Sequence, residues 1–181
     1  MLAGLSKVSG IPTFRCPGGI WTKYGEPPMN GFQEFLNDPN QYWLNQIERD
    51  NEENGPSAEM RKTLAVAVPN PGHIALAILE EIGILKFTIT QNIDNLHDIA
   101  GNSSIIYMHG ELNKVRCISN KTHIHHWITD LNETHKCPEC NSQMRPHICW
   151  FGEIPFQMDE ILQKVEQSSL FVSIGTSGSV Y

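Results

Sequence analysis

The sequence predicts an α/β domain with a parallel sheet, interrupted by a helical insertion and by a small module rich in cysteine and histidine. Three observations carry this expectation. Residues 85–90 (LKFTIT) and 105–108 (IIYM) are short β-forming runs joined by a polar turn, and a helix precedes them. Helix and strand alternating in this way imply a parallel sheet. The preceding helix opens on Asn70-Pro71, places Ile74, Ile78, Leu79 and Ile82 on one face, and closes on Gly83. Residues 113–144 have a different character, crowding Cys117, His123, His125, His126, His135, Cys137 and Cys140 into one stretch.

Length and composition narrow the function classes. At 181 residues, one domain carrying inserted modules can bury a real core. Hydrophobic content is 40%, and no apolar run reaches the ~18 residues of a membrane span. No basic-then-apolar leader opens the chain. A formal charge of −7 argues against direct nucleic-acid binding and suits a Lys-rich peptide partner. Five cysteines, an odd number that includes a Cys-x2-Cys pair, suggest metal chemistry rather than a disulfide framework. The expected setting is cytoplasmic, with the nucleus as the alternative.

Taken in order, Met1 to Arg15 is a turn-rich stretch with Gly4, Ser6, Ser9 and Gly10, small residues that let backbone N–H groups approach a pyrophosphate. Asp38-Pro39 opens a helix carrying Tyr42, Trp43 and Ile47, and Ser57 is read as the cap of a second helix through Met60, Leu64 and Val68. Late in the chain, Ile148 to Glu153 reads as an extended edge to which a peptide could add as a strand. Gln157 to Gln167 reads as a helix, and Leu170 to Ile174 as a buried strand.

Chemistry gathers at the strand ends. Gln91, Asn92 and Asp94 follow the first run and His109 follows the second. Ligands of open α/β sheets sit beyond the carboxyl ends of the strands. Amides and a carboxylate can hold sugar hydroxyls and a carboxamide, and a histidine can move a proton near neutral pH. The plainer reading is two buried strands with polar loops. In the Cys/His stretch, Cys117 and Asn120 stand where the first pair of a zinc ribbon belongs, and residues 121–136 separate them from Cys137 and Cys140. Asn is a poor zinc donor, so two readings stand: three Cys with one His from 123, 125 or 126, or a vestigial site without metal.

Four ordered stretches, SGIPTFR (9–15), TQNIDNLHDIAG with MHGEL (90–112), RPHICWFGE (145–153) and GTSGSVY (175–181), resemble the sirtuins, the NAD-dependent protein deacylases. The resemblance implies a Rossmann-like sheet from residues 1–24, 70–112 and 145–181, with a helical module at 25–69 and a zinc-ribbon-like module at 113–144. It implies transfer of an acyl group from lysine to the ADP-ribose part of NAD, with release of nicotinamide. His109 is then the general base, Asn92 positions water and ribose, and Asp94 holds the carboxamide. Ala3, Gly4, Ser6, Pro12, Phe14, Arg15, Trp21, Gln91, Ile93, Gly175, Thr176 and Ser177 fall on the cofactor site. Ile148, Phe151, Gly152 and Glu153 fall on the contacts to an acyl-lysine peptide. Cys117, Cys137 and Cys140 fall on a structural zinc site.

The departures from the family pattern generate further expectations. Leu2 stands where the first glycine of the family's phosphate turn belongs, and Cys16 replaces the glycine that follows Arg15 in the cofactor loop. A Tyr and Arg pair that marks preference for acidic acyl groups corresponds here to Gln46 and Arg49, which leaves such a preference unsupported. The chain begins at the first cofactor turn and ends just after the second. Residues 87–90 or 170–174 are therefore expected to show an unpaired edge or an uncovered apolar face, with weakened NAD binding. An inactive remnant that keeps the peptide groove, and an enzyme that consumes NAD without a lysine substrate, are the alternatives to an active deacylase.

Overall fold

The computed structural model describes residues 4–27, 29–50, 56–129, 131 and 134–176. After a 3-10 turn at Ser6–Ser9 come α1 (Ile20–Tyr24), α2 (Gly31–Asn37), α3 (Pro39–Asp50), α4 (Pro56–Val66) and α5 (Pro71–Glu81). Then follow β1 (Thr88–Thr90), α6 (Leu96–Ala100), β2 (Ile105–Tyr107), β3 (Gly110–Cys117), β4 (Ile124–His126), β5 (Met144–Ile148) and α7 (Met158–Glu166). β1 and β2 pair in parallel, Thr88 opposite Ile105 and Thr90 opposite Tyr107. β4, β3 and β5 form a separate antiparallel sheet with β3 in the middle.

The helix starts follow local chemistry. Asp38 accepts the Gln41 N–H at 3.0 Å ahead of α3. Asn70 caps α5 by accepting the Gly72 N–H at 2.9 Å, while the Asn70 N–H donates back to His73 Nδ1 at 3.3 Å. α4 starts on Pro56 itself, so Ser57 lies inside its first turn rather than capping it. α6 is a helix that the polar turn signal at 91–95 hid.

Two hydrophobic clusters tie the modules together. Phe35 and Tyr42 of the helical region pack with Val115, Cys117, Leu131, Cys137 and Met144 of the ribbon, with Trp150 against them. Ile11, Ile20, Trp21, Met60 and Leu96 form the second cluster, joining the N-terminal loop to α4 and α6. β3 runs directly out of His109-Gly110 into the ribbon. Gly110 is irreplaceable there: its φ is +81°, and a Cβ would stand 1.9 Å from the His147 carbonyl oxygen.

Three expectations are corrected. Leu170 to Ile174 is not a buried strand: it pairs with no described strand, and Phe171 and Val172 are 63% and 64% exposed. The apolar face of α5 is likewise open, with Ile74, Ile78 and Ile82 exposed and His73 turned inward instead. In both cases the apolar pattern is real, but no described segment covers it. Finally, Ile148 to Glu153 is not an extended edge. β5 stops at Ile148 and the chain turns through Phe151–Glu153, closed by a bond from the Glu153 N–H to the Trp150 carbonyl at 3.0 Å. Gly152, at φ +89°, supplies a conformation that other residues rarely adopt. Unpaired edges at the parallel sheet follow the expectation, since β1 and β2 pair only with each other among the described residues.

Candidate active site and metal centre

The crevice at the strand ends is built from β1, β2 and the first turn of the chain. His109, just past β2, is buried, and its Nδ1 lies 3.0 Å from the Gln91 carbonyl oxygen. A carbonyl only accepts, so Nδ1 carries the proton and Nε2 keeps the lone pair. Burial pushes the His109 pKa down, partly opposed by the Gln91 carbonyl, so the ring is neutral at pH 7. The Gln91 side chain accepts from Thr176 Oγ1 at 3.2 Å, linking the His109 loop to the C-terminal turn. Gly175 in that turn lies against Gly4, where a Cβ on Gly4 would meet the Gly175 oxygen at 2.3 Å. The two turns that the sequence marks as cofactor contacts are thus neighbours.

Asn92 and Asp94 are held by the chain around them. The Asn92 N–H donates to Thr90 Oγ1 at 3.1 Å, and its Nδ2 donates to Ser6 Oγ at 2.9 Å. Asp94, 3% exposed, accepts the Leu96 N–H at 3.2 Å at the start of α6. The Ile93 carbonyl accepts the Leu112 N–H, fastening this loop to β3.

Sequence reasoning missed the histidines behind Ser6. His73 Nδ1 accepts from the Asn70 N–H, so its Nε2 carries the proton and donates to Ser6 Oγ at 3.4 Å. The His97 ring sits edge-on to it at 5.0 Å. Burial lowers the pKa of both rings, which keeps them uncharged beside each other. Asn70 also donates to the Leu5 carbonyl and Ser9 Oγ, anchoring the 3-10 turn to α5. The one available signal was a cap residue with a hydrogen-bonding side chain three positions later, at Asn70 and His73.

The residues of the expected cofactor loop form an aromatic cluster. Phe14 and Trp21 approach at 5.2 Å between centroids, Phe151 meets Trp21 at 5.5 Å, and the Arg15 guanidinium lies 4.8 Å over Trp21. Predicted cofactor-loop and peptide-loop residues therefore share one patch, and Pro12 is half-buried. Glu153 behaves differently from a surface contact. Its carboxylate is engaged by Arg116 at 2.7 Å and by Arg145 at 2.7 Å, all three nearly buried, with Arg145 stacked 3.4 Å over Trp150. It shapes the turn that carries Phe151 and Gly152 rather than reaching outward. Ile148 pairs with Gly110 beside His109. Ala3 and Ser177 lie outside the described residues, as do the side chains of Gln46 and Arg49. A polar cavity of about 510 Å³ lined by Asp98, Tyr107, Glu111, Lys114, His147 and Phe156 contains none of these residues.

The ribbon brings its predicted sulfurs together. Ligand atoms of Cys117, His123, Cys137 and Cys140 all lie within 4.8 Å of one another, with Cys117 Sγ to Cys140 Sγ at 3.4 Å and Cys137 Sγ to His123 Nδ1 at 3.4 Å. Zn–S bonds of ~2.3 Å in a tetrahedron put ligand atoms ~3.8 Å apart, so three thiolates and one imidazole fit zinc. Hydrogen bonds from Ser142, its backbone and Cys117 hold the Cys140 thiol down to about 6, ready to bind metal as thiolate, while burial pushes the Cys117 thiol up. Asn120 is no ligand: its Oδ1 accepts from the Thr122 N–H and hydroxyl.

A parallel α/β sheet with polar groups at its strand ends and an inserted thiolate ribbon is the arrangement of a Rossmann-like protein with a structural metal module. The Sir2 family model matches residues 3–181, and the chain belongs to that family. It is 41% identical over 182 residues to an "NAD-dependent protein deacylase" of Salmonella typhimurium, covering 99% of this chain and 63% of the relative. A Vibrio cholerae protein of the same name is 42% identical over 187 residues, with 99% and 70% covered. The fold matches a crystal structure of a Sir2 homolog–NAD complex with TM-score 0.76 at 35% identity, over 98% of this chain and 66% of that one. A second match, at TM-score 0.63 and 32% identity over 91% and 63%, is a Sir2 variant with a deacetylated p53 peptide and an O-acetyl ADP-ribose. The chain therefore spans less than two thirds of the length of the Salmonella protein.

Proposed function

We propose that the chain carries the catalytic half-site of an NAD-dependent protein-lysine deacylase. Such an enzyme transfers an acyl group from lysine to ADP-ribose and releases nicotinamide. The observation that carries this reading is His109, whose Nδ1 is tied to the carbonyl of Gln91, the residue before Asn92, so that a neutral ring keeps its lone pair on Nε2. The names of the relatives and the ligands of the matched structures support it.

The residues present fit the cofactor. NAD supplies an activated sugar carbon once its nicotinamide is polarised to leave. On the chain's side, His109 Nε2 accepts a proton from a ribose hydroxyl, a contribution typically worth ~10²–10⁴ in rate. Asn92, its Nδ2 fixed by Ser6, offers its oxygen to a water or hydroxyl. On this reading Asp94 binds the carboxamide and Gln91 the ribose. Phe14 and Trp21 shield the reacting carbon from water, and Arg15 offers its guanidinium to the phosphates. Gly4, Ser6, Ile93, Gly175 and Thr176 form the wall of the cofactor site, and Ile148, Phe151 and Gly152 that of the acyl-lysine peptide. On this reading residues 25–69 and 113–144 are the helical and ribbon modules, and Met60 of the former packs with Trp21 of the cofactor loop. Three thiolates and His123 would hold zinc, which would stabilise the ribbon without entering the reaction.

One observation favours the remnant reading instead: Leu170 to Ile174, next to the Gly175 turn, is exposed. Incubation with NAD, with and without an acetyl-lysine peptide, separates the alternatives. Peptide-dependent nicotinamide release that His109→Ala abolishes is the expected result. Equal release without peptide would indicate an NAD hydrolase, and peptide binding without release would indicate the remnant.

A further inference from the structure

We propose that Glu139 is the positioning residue of the metal centre, and that it makes His123 the fourth ligand through Nδ1. Glu139 lies inside the Cys137-x-x-Cys140 knuckle and its carboxylate reaches two histidines, His123 Nε2 at 3.2 Å and His125 Nε2 at 3.4 Å. Only one of these rings can use it while binding metal. His123 presents Nδ1 to Cys137 Sγ at 3.4 Å and Nε2 to Glu139, so its two nitrogens serve two partners at once. His125 presents the same Nε2 to both Cys137 Sγ, at 4.0 Å, and Glu139. A nitrogen whose lone pair coordinates a metal has no proton to donate to a carboxylate. Occupying the metal would therefore cost His125 its acceptor, whereas His123 keeps its own.

Asn120, standing where the ribbon spacing puts a cysteine, does not fill this role. Its Nδ2 lies 2.8 Å from His123 Nε2, but its oxygen is engaged by Thr122. With metal on Nδ1, His123 Nε2 carries a proton, and an amide NH₂ cannot accept it. Glu139 is then the acceptor within reach. A carboxylate behind a ligating imidazole fixes its ring orientation and raises its basicity, and losing such a partner typically costs ~10–100-fold in metal affinity. This inference is independent of the deacylase reading, because metal binding is measured without NAD or peptide.

The test measures zinc affinity of the full chain by competition with a chromophoric chelator, and the ligand set by the charge-transfer and ligand-field bands of the Co(II)-loaded protein. Glu139→Ala is expected to lower zinc affinity about 10–100-fold while keeping the three-thiolate, one-imidazole cobalt spectrum. Glu139→Gln, which retains an acceptor oxygen, should recover part of the loss. His123→Ala should weaken binding further and change the cobalt bands, and His125→Ala should leave both readings near wild type. Circular dichroism of each variant separates misfolding from loss of metal. Wild-type affinity in Glu139→Ala, an effect of His125→Ala equal to that of His123→Ala, or no zinc uptake by the wild-type chain would each overturn the proposal.

Discussion

At the scale of single residues, function turns on which nitrogen of a histidine is occupied. The Gln91 carbonyl on Nδ1 of His109 leaves the lone pair on Nε2, the proposed base, and burial disfavours the imidazolium. A base with a lowered pKa stays unprotonated further into acid. The acid limb of the peptide-dependent rate is therefore expected below the ordinary histidine value of 6.5, and a kcat/KM profile with its midpoint at or above 6.5 would contradict this placement. His109, Asn92 and Asp94 were legible in the sequence because they stand at strand ends within a recognisable motif. His73 and His97 were not, since a histidine on a helix face carries no mark of what it will meet. Only the packing of α5 and α6 against the first turn brings His73 to Ser6.

At the scale of elements, the C-terminal turn of α5 is latched to the loop between α6 and β2 by one carboxylate. Glu80 accepts from Asn102 Nδ2 at 2.7 Å, the Ser103 N–H at 2.8 Å, Ser103 Oγ at 2.6 Å and the Ser104 N–H at 2.9 Å. Desolvation alone would raise its pKa, but these four donors outweigh it and bring the value from 4.5 down to about 2. A carboxyl with a depressed folded pKa binds fewer protons than in the unfolded chain, so its stabilisation is complete above pH 4.5 and is lost as pH falls toward 2. Glu80→Ala should cost on the order of 1–3 kcal/mol at pH 7. In urea unfolding the gap from wild type should narrow as pH is lowered from 5 to 3, and a constant gap would show that the carboxylate charge is not what the loop uses. The peptide-loop turn was misread for a related reason. Ile148 to Glu153 has the composition of a strand, but the buried Arg116–Glu153–Arg145 group and Gly152 fold it back on itself. Breaking such a buried pair costs ~3–5 kcal/mol, more than a few strand propensities can offset.

At the scale of the whole molecule, two apolar surfaces stand uncovered. Ile74 and Ile78 on α5, Ile82 just past it, and Leu170, Phe171, Val172 and Ile174 ahead of the Gly175 turn are all exposed, and the parallel sheet has two strands among the described residues. Exposed apolar patches and unpaired strand edges promote association. The 181-residue chain is expected to self-associate reversibly, with sedimentation velocity showing mass rising with concentration. NAD titration calorimetry should then give weak binding, because the segment leading into the Gly175 turn pairs with no strand among the described residues. A monomer with micromolar NAD affinity would show that these surfaces contribute less than their area suggests.

The sequence by itself determined the parallel α/β class, the membership of the strand-end crevice and the three thiolates. Each depends on local periodicity or on fixed spacing, which the chain carries from residue to residue. Tertiary structure alone decided that His123, rather than His125 or His126, completes the group of ligand atoms within 4.8 Å of one another, that Glu153 turns inward to two arginines, and that Phe151 joins Phe14 and Trp21. It also decided that the apolar stripes of α5 and residues 170–174 face outward among the described residues. These outcomes depend on which distant segment arrives at each side chain, and burial, unlike periodicity, is a property of the pair rather than of either partner.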